Sequence, residues 1–190
     1  MSPQRSNRAN LVEGTLRCLE RLPPDRITAR AIAEESGANL ASIAYHFGSK
    51  DDLVTEAVIL GLDRWLVEIE RALATVAPQE PAVRFTRAAE VVEATRQEHL
   101  GLARNFLGAM ARAQHDPRVA ELLAEGFRHT RPNVAALLGL GDDEAGLDAA
   151  GLVHSLFTGL LFQVLLDPGL SIEGERLQRA KPRLRRVLAE

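Results

Sequence analysis

Apolar residues recur at helical spacing along almost the whole chain, and no segment shows the sustained apolar/polar alternation of a half-buried strand. That period restricts the 190 residues to an all-α fold. Val12, Leu16 and Leu19 fall at i, i+4 and i+7, and Leu22-Pro23-Pro24-Asp25 ends the helix they mark. Ile27 and Ile32 bracket Thr28 as a hydrophobic staple around an N-cap, so a second helix is expected over 29–36, stopped by Gly37. Asn39 can cap a third over 40–47, closing at Gly48. Ser49 and Asp52 have capping-box spacing and open a long helix striped by Val54, Val58, Leu62, Trp65, Leu66, Ile69 and Leu73. Beyond a break at Pro78-Gln79-Glu80-Pro81, helices are expected at 82–98, 102–114, 117–138, 144–166 and 172–189. Gly101, Asp116-Pro117, the 139–143 turn and Asp167-Pro168-Gly169 divide them, and Pro132 and Pro182 should kink or split the helices that hold them.

Composition narrows the class. With 46% hydrophobic and 26% charged residues the chain is neither disordered nor collagen-like, and it is long enough to bury a core without disulfides or metal. The lone Cys18 cannot form an internal bridge, and Met1-Ser2-Pro3-Gln4-Arg5-Ser6 lacks the apolar core of a signal peptide, so a cytoplasmic location is expected. The apolar stretch Val153 to Leu166 is interrupted by His154, Ser155, Thr158 and Gln163. It falls short of the ~20 apolar residues of a spanning helix, so no membrane partner is expected. Residues 1–50 carry a net charge of +2 within a chain of −3. A basic head on an acidic body suits a polyanion at that end, although so small a difference also fits no function.

The segment from Thr28 to Phe47 has the order of a helix-turn-helix, with Ile32, Ile43 and Phe47 as its core contacts. The outward face of its second helix then carries Leu40, Ala41, Ala44 and Tyr45, with Ser42 at the margin, and no formal charge. Such a face suits entry between two phosphate walls, and a helical hairpin made only for packing would look the same.

The run from Ile27 to Leu53 resembles the N-terminal signature of TetR-family transcriptional regulators, above all at Tyr45-His46-Phe47-Gly48-Ser49-Lys50-Asp51-Asp52-Leu53. The likeness is close over about residues 10–60; beyond that only length, helix content and helix order match. It implies a DNA-binding domain over 1–50, or about 8–55 with the start of the fourth helix, followed by a helical effector-binding and dimerisation domain over 51–190. By the same resemblance Tyr45 and Lys50 contact phosphates, and His46 belongs to the DNA-facing set. Thr28 is a second phosphate contact or simply an N-cap, and Arg30 reads a base or is a solvated charge near Glu34. Ala44 stands where relatives often carry a larger or polar side chain, and Ala41 is small too, so no operator sequence can be written down.

The resemblance also implies a homodimer built on the last two helices, and Val153, Leu156, Phe157, Leu160, Leu161 and Val164 offer a broad apolar surface for it, or else a central core helix. It implies a small-molecule effector too, for which Trp65, Phe85, His99, Phe106, Met110 and Phe127 are candidates, each equally readable as core. No phosphate loop, nucleophile elbow or metal-ligand spacing is present; Glu125 with His129 is a single unsupported pair. No catalytic residue, metal or cofactor is therefore expected. The expected function is an effector-released repressor on a palindromic double-stranded DNA operator. The alternatives are a TetR-like protein with no small-molecule effector, acting as an activator or answering to a protein partner, and, more remotely, a helical metal enzyme.

Overall fold

The computed structural model describes residues 3–74 and 80–188, and among them it holds eight α-helices and no strand. The helices are α1 (Pro3–Arg21), α2 (Ala29–Ser36), α3 (Ala41–Phe47), α4 (Lys50–Ala74), α5 (Pro81–Ala113), α6 (Pro117–Leu138), α7 (Glu144–Leu166) and α8 (Gly174–Leu188). Single 3-10 turns lie at Pro24–Arg26 and Pro168–Leu170. The all-α expectation holds. Pro78 and Gln79 of the expected break lie outside the described residues.

Three expectations need correction. Gly101 does not divide two helices: α5 runs unbroken for 33 residues, and Gly101 sits within it where the Leu19 carbonyl of α1 leaves no room for a β-carbon. Pro132 and Pro182 likewise lie inside continuous helices and split neither. The apolar stretch from Val153 to Leu166 is also part of a longer helix. The helix that holds it begins at Glu144 and runs for 23 residues, and with a mean hydropathy of 1.7 over its most apolar stretch it is by length and composition alone enough to cross a membrane. Asp143 opens that helix as N-cap, its carboxylate accepting the Gly146 N–H at 2.9 Å.

The described chain forms two compact units. The first comprises everything up to Glu68 together with Glu98–Thr130. In it α1 packs on α2 and α3, with Leu11, Leu19, Ile32, Leu53 and Val58 buried. Ion pairs join the helices: Arg8 to Glu56 at 2.6 and 2.7 Å, Arg64 to Glu13 at 2.9 Å, and Arg112 to Asp52 at 2.8 Å. All are partly exposed, so each contributes about 0–1 kcal/mol, and the buried apolar side chains carry the stability.

The second unit comprises Ile69–Gln97 and the chain from Arg131 onward. Phe85 of α5 meets Phe157 of α7 with ring centroids 5.4 Å apart. The Arg84 guanidinium donates to the Ala136 and Leu137 carbonyls at 3.1 and 2.9 Å, adding to the end of α6, where Ala136 also accepts the Gly139 N–H at 3.2 Å. Lys181 of α8 donates to Thr86 at 2.7 Å, and Ser171, just before α8, donates to Glu93 at 3.3 Å, so α8 lies along the first half of α5.

Candidate nucleic-acid interface

Short-range chemistry sets α2 and α3. Thr28 Oγ1 accepts the Ala31 N–H at 3.1 Å and so caps α2, while Ile27 and Ile32 on either side of it are buried. Gly37 ends the helix at φ 63°, a left-handed conformation that a β-carbon disfavours. Asn39 Oδ1 accepts the Ala41 N–H at 2.9 Å and starts α3, one residue later than expected, and Gly48 closes it at φ 79°. The α1–α2 contact is close as well: a β-carbon on Gly14 would stand 2.6 Å from Ser36 Cβ. Ile43 is buried as expected. Phe47 is only half-buried, its ring lying under the Arg8 guanidinium at 4.9 Å from the centroid.

The outward face of α3 is open. Leu40 is 50% and Tyr45 72% exposed, Ala41 and Ala44 are exposed, and Ser42 and His46 are half-buried. The Tyr45 and His46 rings meet edge to face at 4.8 Å. Lys50, the first residue of α4, holds Asp51 at 2.6 Å, and Ser49 Oγ accepts the Asp52 N–H at 3.0 Å. The expected capping box is thus half used, because the Asp52 carboxylate turns to Arg112. Arg30 is exposed and, among the described residues, in no ion pair, with Glu34 or otherwise. Glu35 is neutralised by Arg17 and Arg21, and the bond from Arg17 holds its carboxyl below the usual range. An exposed phenol, an uncharged helix face and two cations can together contact phosphates and base edges.

The candidate effector side chains fall into separate pairs. Trp65 and His99 stack at 4.6 Å, with His99 also against Glu68 at 3.2 Å, and Phe106 meets Phe127 at 5.9 Å; all lie in the first unit. Met110 is half-buried in that unit, whereas Phe85 belongs to the second, against Phe157. A 130 Å³ cleft in the first unit is floored by Leu16, Leu19, Gly61 and Leu102 and edged by His99, Glu98, Glu13 and Arg64. Of the candidate dimer residues, Val164 is buried at 5% and Val153, Phe157, Leu160 and Leu161 are half-buried, leaving Leu156 the exposed one at 38%. The most open apolar positions of α7 are Leu152 at 72% and Leu166 at 85%, on the same side as Leu156.

Among the described residues no group of three or more His, Cys, Asp or Glu is placed to hold a metal. Glu125 is taken by Arg128, not by His129. Burial pushes the Cys18 thiol up, away from the reactive thiolate. The Arg112 contacts to Asp52 and Thr55 were not expected, since residues some sixty positions apart carry no shared local signal.

Residues 11–57 match the family model described as bacterial regulatory proteins, tetR family. Among solved structures, a transcriptional regulator from Rhodococcus sp. RHA1 superposes with TM-score 0.67 at 20% identity, covering 84% of each chain. A TetR-family transcriptional regulator from Mesorhizobium loti MAFF303099 gives 0.62 at 18% identity, over 88% of this chain and 87% of the other. A transcriptional regulator from Saccharomonospora viridis in complex with choline gives 0.56 at 23%, over 86% and 88%. At these identities the likeness establishes the fold. No curated protein matches the chain.

Proposed function

The chain belongs to the TetR family of bacterial regulatory proteins, and on that footing we propose a cytoplasmic homodimeric repressor that leaves a palindromic operator when a small molecule binds its helical body. The observation that carries this reading is the open, uncharged face of α3 set between the exposed Tyr45 phenol and Lys50 at the start of α4. On this reading residues 1–50 are the DNA-binding domain and 51–190 the regulatory one.

α3 enters the major groove. Tyr45 donates its hydroxyl to a phosphate, and Lys50 meets another beside the open N–H groups of α4. Thr28 does both of its candidate jobs: capping α2 uses an acceptor lone pair, which leaves the O–H to donate to DNA. Arg30 reads a guanine from α2, while Leu40, Ala41, Ser42 and Ala44 let the helix approach the base edges, with His46 at the rim. The open α7 stripe of Leu152, Leu156 and Leu166 packs against a second copy. We assign it to protein and not lipid because α7 also carries Glu144 and Asp148 and seats Phe157 on Phe85.

The effector is taken near the Trp65–His99 and Phe106–Phe127 pairs, with Met110 beside them; Phe85, in the other unit, is its least supported contact. The Saccharomonospora regulator with choline supports a small organic ligand in a chain of this fold. No enzymatic role is assigned, and none of the residues above requires a cofactor. A tenfold loss of operator affinity needs a coupling of only ~1.4 kcal/mol, and operator must weaken effector binding by the same factor.

The test begins with an operator selected from random duplexes. Small molecules are then titrated by Trp65 fluorescence with and without it. A compound bound about tenfold more weakly in the presence of operator is the expected result. Equal affinities in both titrations would end the induction reading and leave DNA binding standing. No selection of any duplex would overturn the whole.

A further inference from the structure

α8 is the most one-sided helix of the chain. Its fifteen residues carry Arg176, Arg179, Lys181, Arg183, Arg185 and Arg186 against a single Glu175, within a protein of net charge −3. Arg176 is spent on the Gly169 and Ser171 carbonyls, Lys181 on Thr86, and Arg179 lies 3.4 Å from Glu175. Arg183, Arg185 and Arg186 are exposed and, among the described residues, in no ion pair. Leu184, Val187 and Leu188 beside them are exposed too, at 45, 79 and 73%. The opposite charge sits in the same unit, where the start of α7 and the turn before it carry Asp142, Asp143, Glu144 and Asp148 with no base among residues 141–148. No described ion pair joins these acids to α8.

We propose that the α8 arginines seat on the acidic start of α7 of a second copy of this chain, making the dimer seam apolar in the middle and charged at its ends. This rests on the dimer reading above and adds the partner of α8 to it. A two-fold interface joins each surface patch to its counterpart and the reverse, so one unit that bears both signs, unpaired within itself, can satisfy both across the axis. The uncovered leucines of α7 and α8 supply the adjoining apolar area, and the charges set register and exclude wrong pairings. Compensation of each helix's own dipole explains acids at the start of α7 and bases at the end of α8 without any partner, and the experiment separates the two.

Two full-length variants are made, R183E/R186E and D142R/D148R, leaving the Asp143 cap intact, and their folding is checked by circular dichroism. Each alone should raise the dimer dissociation constant at least tenfold in sedimentation equilibrium, since like charges then meet at both ends. Mixed one to one, they should form a heterodimer near wild-type strength, because both contacts become opposite in sign again. Wild-type dissociation should also strengthen with salt, by about tenfold between 50 and 500 mM, the range over which screening shortens from beyond 10 Å to a few ångströms.

Variants that dimerise like wild type, a mixture with no gain, or a salt-independent dimer would each overturn the proposal and leave the dimer standing. A wild-type monomer at micromolar concentration would remove the dimer reading itself. If R183E/R186E dimerises normally and loses affinity for random duplex, α8 is a nucleic-acid contact and the proposal fails.

Discussion

A β-carbon on Gly101 of α5 would stand 1.8 Å from the carbonyl oxygen of Leu19 in α1. The obstacle is backbone, which cannot swing aside as a side-chain tip can, so the two helices meet here at a separation only glycine permits. Gly101→Ala must push them apart and should cost at least the ~1–3 kcal/mol typical of an overpacked core. Gly108, seven residues on, has nothing within 4 Å, and Gly108→Ala should stabilise α5 by ~0.4–1 kcal/mol. Thermal melts of the two variants should therefore shift in opposite directions. At roughly 2–4 °C per kcal/mol for a chain of this size, both shifts are measurable.

Tyr45→Phe and Lys50→Ala should weaken cognate and random duplexes alike, and Lys50→Ala should lower the salt slope by up to about one unit per subunit. Arg30→Ala should instead relax preference at one base pair by ~1–3 kcal/mol. Binding isotherms on a selected operator, its single-base variants and random DNA distinguish these outcomes. Unchanged affinity for every duplex after Lys50→Ala would remove that residue from the interface.

Leu152 and Leu156 are exposed in the single chain, whereas Val164 is buried. Leu152→Glu or Leu156→Glu should therefore give a folded monomer that no longer holds a two-site operator. Val164→Glu should fail to fold, because it buries an unpaired charge at a cost of several kcal/mol. Sedimentation with circular dichroism checks both, and a dimeric Leu156→Glu would move the seam elsewhere.

Two half-buried groups give opposite pH dependences. Burial raises the Asp63 carboxyl, only partly offset by His129, so the fold favours its protonated form. That contribution is present at low pH and is lost as pH rises through the raised value, so Asp63→Asn should be the more stable protein at pH 7 and equal to wild type below pH ~3. Burial and the nearby Arg131 lower the His154 imidazole. Stability should then fall as pH drops from the ordinary histidine value of ~6.5 through the lowered one, and His154→Gln should flatten that fall. Denaturant midpoints across pH 3 to 8 report both.

What could be read without coordinates were features whose cause lies within a few residues. Thr28, Gly37, Asn39 and Gly48 act on their own neighbours, so α2 and α3 were legible almost to the residue. Gly101 was misread because glycine has two uses, ending a helix and admitting another backbone, and the second depends on Leu19, 82 positions away. The inner and outer sides of α7 were blurred for a related reason. Nearly every position on it is apolar, so the pattern holds no phase, and only packing against Phe85 separates the buried Val164 side from the open Leu152 side.

The pairing of Lys50 with Asp51 bears on how tightly the proposed interface can hold any duplex. The ammonium already holds a carboxylate at 2.6 Å, so if Lys50 meets DNA as proposed, the phosphate displaces an internal counterion and not a dissolved one. The exchange releases fewer ions from solution and makes each encounter with random DNA shorter-lived. On that reading Asp51 is a built-in decoy phosphate that lowers affinity for every duplex alike, and discrimination between sites is left to the contacts of α3 with the bases.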